Sequence, residues 1–262
     1  KGAPVLGVEP YDITEIPGAD VLYEAQGIIR ESEQNAAALF GTAVSLYSTE
    51  GSSLCIRAML YLVRLLASSQ GRKPRLLAAR NAHKALLYAA ALLNVDVDWV
   101  YADTGELLSW QPDLATLEER LRAEQPVALY ITSPDYLGQR CDIAALAQLC
   151  HRYGTLLLVD NAHGAYLKFL GLHPMDLGAD LCCDSAHKTL PVLTGGAYLH
   201  VGSHLPMSLR AQVKQALCLF GSTSPSYLIL QSLDLCNAYL EKQFKADLAA
   251  TAARLAVLRQ KL

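Results

Sequence analysis

The sequence predicts an α/β fold in which a mostly parallel sheet is flanked by helices. The main observation is that short apolar runs alternate with helical segments from Ala43 onward, a pattern typical of parallel sheets covered by helices. The second is that cap and stop residues separate the segments, as Asp142 and Gly154 do around one helix. With 262 residues, the chain is long enough to bury a real core.

The predicted elements follow one another in a regular order. Seven apolar runs are predicted strands, and they cover residues 44–48, 75–79, 97–101, 127–132, 155–160, 179–183 and 196–201. Helices between them are predicted over residues 54–67, 82–93, 112–124 and 143–153. Pro112 and Asp113 suit the start of the third helix, and Pro126 follows its end. After Pro206 the pattern is helical with one break at residues 220–225.

Composition favours a small-molecule partner. The net charge is -3 and only 18% of the residues are charged, with both signs interspersed, so the chain has no basic face for nucleic acid. The seven cysteines show no Cys-x-x-Cys spacing and are interpreted as reduced core residues. No signal peptide is visible, and Arg57 and Arg64 interrupt the most apolar helical stretch. We therefore expect a cytoplasmic protein without a nucleic-acid or membrane partner.

The two chain ends predict a piece of a longer protein. The chain begins at Lys1-Gly2 without a methionine, and it stops at residues 259–262 inside a helical pattern rich in alanine and leucine. We divide it into an N-terminal segment, residues 1–40, and a large domain, residues 41–262, on which that segment packs.

The most informative residues are Asp160 and Lys188. Asp160 ends a buried strand, and Lys188 follows it by 28 residues in the run Ser185-Ala186-His187-Lys188. A lysine that can form a Schiff base, together with such a carboxylate, is the minimal equipment for holding and charging pyridoxal phosphate (PLP). The alternatives are a structural salt bridge or turn cap for Asp160 and a solvated loop lysine for Lys188.

Two further segments follow predicted strands. Gly51-Ser52-Ser53 precedes a helix, where backbone N–H groups and hydroxyls can cup an anion, although an ordinary serine N-cap is the more common reading. His83 opens the next helix within Arg80-Asn81-Ala82-His83-Lys84, and it is either a ring that lies flat on a cofactor or a partly exposed polar residue. Because all these segments come just after strands, they can meet at one edge of the sheet.

Other catalytic signals are absent from the sequence. It has no His-Glu-x-x-His pair for a metal, no Gly-x-Gly-x-x-Gly or Walker loop for a nucleotide, and no Gly-x-Ser-x-Gly elbow of a hydrolase. We therefore expect PLP as the cofactor and no metal.

Four segments together resemble the Orn/Lys/Arg decarboxylase family. They are Asp12-Ile13-Thr14-Glu15-Ile16-Pro17-Gly18-Ala19-Asp20, the run from Arg80 to Lys84, Asp160-Asn161-Ala162-His163-Gly164, and Ser185-Ala186-His187-Lys188-Thr189-Leu190-Pro191. The resemblance covers nearly the whole chain and implies the large PLP-binding domain of an aspartate aminotransferase-type (fold type I) enzyme, without the family's C-terminal domain. Lys1-Gly2 resembles the tail of that family's Pro-Gly-His-Lys start.

The resemblance implies roles for individual residues. Lys188 would hold the internal aldimine, Asp160 would pair with the pyridine nitrogen, and His83 would stack on the ring. The implied phosphate ligands are Ser52, Ser53, Ser185 and His187, and His163 would lie near the ring. Ser222 and Thr223 would reach the phosphate of the neighbouring subunit in a homodimer or larger homo-oligomer.

The implied activity is decarboxylation of a basic amino acid, arginine, lysine or ornithine, to its amine, as in polyamine metabolism. Lys188 or His187 would return a proton to Cα. Alternatives are another PLP reaction, such as transamination or aldol cleavage, or a non-catalytic PLP-binding fragment. Relatives commonly have Thr at the position of Asp135, and many have Gln within the stretch Thr194-Gly195-Gly196, so the substrate remains open.

Overall fold

The computed structural model describes residues 6–102 and 108–261. The Lys1-Gly2 start, which resembles the tail of the Pro-Gly-His-Lys motif, lies outside the described residues. Within them, seven strands form a single sheet in the order β1-β7-β6-β5-β4-β2-β3. The strands are β1 (Val44–Ser48), β2 (Arg75–Ala79), β3 (Asp96–Val100), β4 (Ala128–Thr132), β5 (Leu156–Asp160), β6 (Leu181–Asp184) and β7 (Ala197–Val201).

Helices cover the sheet. The four helices predicted between strands are present with starts shifted by up to three residues, whereas the helices over residues 28–40 and 186–189 were not predicted. The helices are α1 (Ile28–Phe40), α2 (Gly51–Ser69), α3 (Lys84–Leu93), α4 (Leu114–Glu124), α5 (Ile143–Arg152), α6 (Ala186–Thr189), α7 (Met207–Arg210), α8 (Val213–Cys218), α9 (Tyr227–Lys242) and α10 (Phe244–Arg259). Two 3₁₀ helices, Leu22–Glu24 and Ala165–Leu170, complete the set. The side chains of Asp113 and Asp142 cap α4 and α5, as their positions predict.

The prediction for the region after Pro206 was wrong in one respect. The break at residues 220–225 is present, but the helical stretch also ends between α7 and α8 and again at Gln243 between α9 and α10. Neither of these two breaks carries a glycine or proline, which are the residues that mark such breaks in a sequence.

The direction of the strands places their carboxyl ends together. Strands β2, β3, β4, β5 and β6 pair in parallel, whereas β7 is antiparallel to both β6 and β1. Consequently β1 runs in the same direction as β6, and the carboxyl ends of all strands except β7 point to one edge. The prediction of a mostly parallel sheet flanked by helices is confirmed.

Apolar clusters cover both faces of this sheet. Helices α2 and α3 pack with residues such as Leu76, Leu158 and Leu181 on one face. Helices α4 and α5 pack with Leu77 and Val159 on the other. Near β1 and β7 a third cluster joins α1 and α9 to the sheet. These layers bury both sides of the central strands, which explains why those strands appear in the sequence as continuous apolar runs.

Helix α2 lies in the core of this domain. By length and composition alone it is apolar enough to cross a membrane, so the inference that Arg57 and Arg64 rule out a span was wrong. Half of its most apolar window is buried inside the domain, and Leu54, Met59 and Leu62 have no exposed surface. That burial is the property of a core helix.

Asp20, the last residue of the first family-like segment, anchors the start of α1. Its backbone is left-handed, with φ +64°, and its carboxylate accepts hydrogen bonds from a group of backbone N–H groups. The donors are those of Val21, Gln26, Gly27, Ile29 and Arg30. The hydroxyl of Tyr227 donates to the Asp20 carbonyl oxygen at 2.6 Å. Asp20 thereby ties the start of α1 to α9.

Candidate active site

A cavity of about 220 Å³ opens at the carboxyl ends of β1, β4, β5 and β6. The cavity-lining residues all follow a strand or end one, and they are Gly51, Ser52, Ser53, His83, Thr132, Tyr136, Asp160, Ala162, His163, Ser185, His187 and Lys188. Eight of the ten residues that the sequence analysis selected are therefore in one place. Ser222 and Thr223 are not among the lining residues.

The first part of the cavity is the start of α2. Gly51 begins this helix with φ +73°, and its N–H donates to the Gly195 carbonyl at 2.7 Å. The N-cap residue, Glu50, makes no capping side-chain bond, so the ordinary serine N-cap is not what the structure contains. Ser52 and Ser53 occupy the first turn, where backbone N–H groups have no partner within the helix and the helix dipole favours an anion.

Two segments close this cup from the β6 side. The Ser185 hydroxyl donates to the Ser52 hydroxyl at 2.8 Å. The backbone N–H of His187 donates to the Gly196 carbonyl at 3.2 Å, and its Nδ1 lies 3.1 Å from the same oxygen, which fixes the ring. The cup therefore presents hydroxyls, backbone N–H groups and one imidazole, a donor set that suits a phosphate.

The glycine pair at 195–196 supports the cup through its carbonyl oxygens and is not among the residues that line the cavity. A Cβ on Gly195 would lie 2.6 Å from the Thr49 carbonyl oxygen, and its φ is +99°. Only glycine allows this close approach of two backbones. Asp135, the other departure from the family pattern, is buried and accepts hydrogen bonds from the N–H groups of Leu137 and Gln139. It shapes a turn and does not line the cavity.

Lys188 reaches the cavity from the short helix α6. Its Nζ lies 3.3 Å from Nε2 of His163. Burial, followed by the charge of Lys188, lowers the pKa of His163, so the imidazole is the neutral partner that accepts a hydrogen bond from the amine. The ring of Tyr136 meets His163 edge-on at a centroid distance of 5.2 Å. Among the residues that the structure describes, Lys188 thus contacts a neutral neighbour and forms no ion pair.

Asp160 lies at the end of β5 and is 2% exposed. Its Oδ2 accepts from the Tyr130 hydroxyl at 3.1 Å, and its Oδ1 accepts from the Ala162 N–H at 3.2 Å. It therefore caps the next turn, which was one of the alternatives, but it forms no ion pair within the described parts of the chain. Burial raises the pKa of Asp160, although the two hydrogen bonds and the charges of His83 and Lys188 oppose this.

His83 is the N-cap of α3. Its Nδ1 accepts a hydrogen bond from the Ala85 N–H at 3.2 Å, which fixes the ring orientation. This bond gives the residue a structural role, and the ring also lines the cavity. His83 is half-buried, which agrees with the alternative of a partly exposed polar residue, and its stacking on a cofactor ring stays a prediction.

Thr132 and Tyr136 line the cavity but were not predicted. Thr132 ends β4 in register with Asp160, and its hydroxyl is buried without a hydrogen-bond partner among the described residues. The rule that ligands bind at the carboxyl ends of parallel strands applies to β4 as well, so it would have found Thr132. Tyr136 lies four residues further along the same loop.

These features fit PLP. The cup at α2 suits its phosphate, the unpaired carboxylate of Asp160 suits a protonated pyridine nitrogen, and the Lys188 amine suits its aldehyde. Thr132 adds a buried hydroxyl that needs a partner. Each polar part of the cofactor thus has a side chain of suitable chemistry.

Ser222 and Thr223 lie on the surface outside the cavity. The Ser222 N–H donates to Oε1 of Glu50 at 2.6 Å, and the Ser222 hydroxyl accepts from the Ser224 N–H at 3.1 Å. Both residues are exposed. Within one chain this segment is a polar turn beside the start of α2, and its predicted contact with a neighbouring subunit stays a prediction.

A second polar cluster lies on the opposite face of the sheet. Nε2 of His173 and Nε2 of His200 lie 2.9 and 3.3 Å from Oδ2 of Asp184, and all three residues are fully buried. These residue types bind metals. However, the Met175 N–H donates to Nδ1 of His173, so its Nε2 carries the proton and donates to Asp184. This cluster is a hydrogen-bonded network.

Comparison with known proteins identifies a matching family and individual relatives of known sequence. Residues 8–262 match the family described as Orn/Lys/Arg decarboxylase, major domain. The chain is 33% identical over 237 residues to the uncharacterized protein YaaO of Bacillus subtilis, covering 88% of this chain and 48% of that protein. It is 30% identical over 235 residues to an arginine decarboxylase of Halalkalibacterium halodurans, covering 87% and 46%.

A solved structure confirms the fold. The constitutive lysine decarboxylase of E. coli superimposes with a TM-score of 0.77 at 21% identity, covering 97% of this chain and 37% of that one. The chain thus spans about half the length, or less, of these three proteins.

Proposed function

Since the chain belongs to the Orn/Lys/Arg decarboxylase family, we propose that it forms the large domain of a PLP-dependent decarboxylase of a basic amino acid. The observation that carries the proposal is the meeting of Lys188, Asp160 and the α2 cup in one cavity of about 220 Å³. The family is one of PLP-dependent carboxy-lyases, and the chemistry of the cavity suits that cofactor.

The phosphate would be bound at the start of α2. Ser52, Ser53, Ser185 and His187 are the proposed ligands, because they surround backbone N–H groups that have no partner within the helix. Lys188 would attach the cofactor covalently, and His163, a neutral hydrogen-bond acceptor, would orient its amine. His83 would lie against the ring and shield one side from water.

Asp160 would hold a proton at the pyridine nitrogen. Bound PLP supplies an electron sink for the pair left when the Cα–carboxylate bond breaks. A buried carboxylate can keep a neighbouring nitrogen protonated because neither charge is screened by water. After carbon dioxide leaves, Lys188 or His187 would return a proton to Cα, since both side chains reach the cavity.

Arginine is the first substrate to test. Two relatives at 30% identity are named arginine decarboxylase, while the lysine decarboxylase of E. coli is less similar at 21%. Lysine and ornithine carry the same backbone groups and differ in the length and charge geometry of the side chain. Transamination or aldol cleavage would use the same residues and is the second candidate.

We further propose a homodimer or larger homo-oligomer that works in the cytoplasm in polyamine metabolism. Support for the first part is the exposed Ser222–Thr223 turn beside the α2 cup, to which it is linked through Glu50. The free state of all seven cysteines supports the cytoplasm, and the proposed decarboxylation of a basic amino acid to an amine is the support for polyamine metabolism.

Reconstitution with PLP tests the proposal. The protein, incubated with PLP and dialysed, should become yellow, and the Lys188→Ala variant should not. The coloured protein is then offered arginine, lysine and ornithine, with release of carbon dioxide and formation of the amine as readouts. Keto-acid production without carbon dioxide would favour transamination instead. A colourless wild-type protein would contradict the proposal as a whole.

A further inference from the structure

Tyr130 is a buried tyrosine whose hydroxyl contacts the carboxylate of Asp160, the residue proposed to pair with the pyridine nitrogen of the cofactor. It lies on β4 with no exposed surface, and its hydroxyl donates to Oδ2 of Asp160 at 3.1 Å. In the sequence it is one residue of an apolar run, which predicts a core side chain and nothing more. The hydrogen bond gives it a second role.

The sheet register explains how the two side chains meet. Thr132 pairs with Asp160 and Tyr130 pairs with Leu158, so Tyr130 lies on the same face of the sheet as Asp160, one step further from the strand ends. It belongs to the apolar cluster under α2 and does not line the cavity. A molecule bound in the cavity would therefore leave this hydrogen bond in place.

The other groups around Asp160 come from every neighbouring element. From β6, the Cys183 thiol lies 3.7 Å from Oδ1, and burial raises the pKa of that thiol well above its ordinary value, so it stays neutral. From the turn after β5 comes the Ala162 N–H. From the cavity side come His83, His163 and Lys188. Tyr130 is thus the side-chain hydroxyl that approaches Asp160 from the core.

A donor at this position matters because the surroundings favour the wrong form of Asp160. Burial raises the pKa of its carboxyl group, and a neutral carboxylic acid could not hold a proton on a pyridine nitrogen. A hydrogen bond donated to the ionised form opposes this effect. Burial and the charge of Asp160 also raise the pKa of Tyr130 well above its ordinary value, so the phenol keeps its proton and remains a donor.

We propose that Tyr130 is a positioning residue that keeps Asp160 ionised and oriented toward the cavity, ready for a protonated pyridine nitrogen. The proposal rests on the proposed function for its meaning in catalysis. The hydrogen bond itself is a property of the chain without cofactor, and this allows the two ideas to be tested separately.

The test compares Tyr130→Phe with the wild-type protein and with a matched control, Tyr198→Phe. Tyr198 is also a fully buried strand tyrosine, but its hydroxyl donates to Asn237. Titration of ¹³C-labelled aspartate by NMR in the PLP-free protein, with the Asp160 signal assigned by its loss in Asp160→Asn, measures the midpoint directly. A hydrogen bond to a charged group corresponds to about one to two pH units.

Tyr130→Phe should raise the Asp160 midpoint by that amount, and Tyr198→Phe should leave it unchanged. An Asp160 midpoint that is the same in Tyr130→Phe and wild type overturns the proposal. If Tyr130→Phe does not fold, 3-fluorotyrosine placed at position 130, a stronger donor, should shift the midpoint downward, and no shift would again overturn it. A wild-type protein that fails to bind PLP would contradict the proposed function while leaving this titration decisive for Tyr130.

Discussion

Two buried aspartates end neighbouring strands of the same sheet, and they have opposite surroundings. Asp160 ends β5 and faces the cavity, where it has no ion-pair partner within the described residues and where burial raises its pKa. Asp184 ends β6 and points to the opposite face. Burial alone would raise the pKa of Asp184 too, but His173 and His200 outweigh it and hold the pKa far below the ordinary value.

The two carboxylates differ in their partners. Asp184 has histidine and amide donors supplied by the fold, whereas Asp160 has no ion-pair partner among the described residues and borders the cavity. Asp184 accepts hydrogen bonds from His173, His200 and the side-chain amide of Asn161, the last at 2.6 Å. Asp160 accepts from the Tyr130 phenol, the Ala162 N–H and, at 3.7 Å, the Cys183 thiol, and it forms no ion pair within the described residues. A buried carboxylate without an ion-pair partner is costly when it is ionised, so a cationic group bound in the cavity would stabilise Asp160.

The largest expected effect is on turnover. Asp160→Asn should leave the fold and much of the PLP binding intact, but it removes the charge that is proposed to keep the pyridine nitrogen protonated. We expect kcat to fall by about 10²–10⁴-fold, the range for loss of a positioned acid–base group. Steady-state amine production measures it. Normal turnover of the Asp160→Asn variant would mean that another residue keeps the pyridine nitrogen protonated.

Stability should respond in the opposite way at the two aspartates. In the PLP-free chain, Asp184→Asn should lower the free energy of unfolding by about 1–3 kcal/mol at pH 7, because three buried donors lose their charged acceptor. Asp160→Asn should be neutral or stabilising, because it removes a poorly compensated buried charge. Urea denaturation of both variants at one temperature gives the comparison. Equal destabilisation by the two changes would mean that the two carboxylates do not differ as described.

The pH dependence sharpens the same comparison. The folded pKa of Asp184 is depressed, so its stabilising contribution is present above the unfolded value of about 3.9 and is lost as the pH falls below it. The folded pKa of Asp160 is raised, so its unfavourable contribution appears as the pH rises through about 3.9 and is complete above the folded pKa. The deficit of Asp184→Asn relative to wild type should therefore shrink toward acid, and so should any gain of Asp160→Asn. Unfolding curves measured between acid and neutral pH check both trends.

Two serines, one on each face of the sheet, allow cofactor binding and stability to be compared between the cavity face and the opposite face. Ser52→Ala, in the cavity, should weaken PLP binding by about tenfold, the value of one ordinary hydrogen bond, with little loss of stability. Ser45→Ala is the matched control on the other face, where the buried hydroxyl of Ser45 lies 2.7 Å from Nδ1 of His200. It should lower stability by about 1–2 kcal/mol without changing PLP affinity. Fluorescence titration with PLP and urea denaturation of each variant separate the outcomes.

The smallest effect is expected at the surface turn. Ser222→Ala combined with Thr223→Ala should modestly weaken PLP retention, because these hydroxyls are proposed to reach the phosphate of a neighbouring subunit. Mixing this variant with Lys188→Ala should yield some heterodimers with one complete site. A monomer that holds PLP with full affinity in solution would rule out the shared site.

How much of the fold and of the site can be predicted from the sequence depends on how far apart along the chain the interacting residues lie. Strand positions follow from local periodicity, and the strand-end rule brings Ser52, His83, Asp160 and Lys188 to one edge. The Asp184 network was not predicted because its two histidines come from separate segments and only the folded sheet brings them together. Tyr130 escaped notice because a tyrosine in an apolar run resembles a core residue until its hydrogen-bond partner is known.

The most direct test of the central claim is chemical trapping of the cofactor. The PLP-loaded protein is reduced with borohydride, digested, and mapped by mass spectrometry. Lys188 is the lysine whose amine lines the cavity beside His163, so the pyridoxyl group should be found on the peptide that contains it. Asp184→Asn, if folded, should give the same label. A label on Lys84 or Lys168, or a wild-type protein without any label, would contradict the assignment of this cavity as the cofactor site.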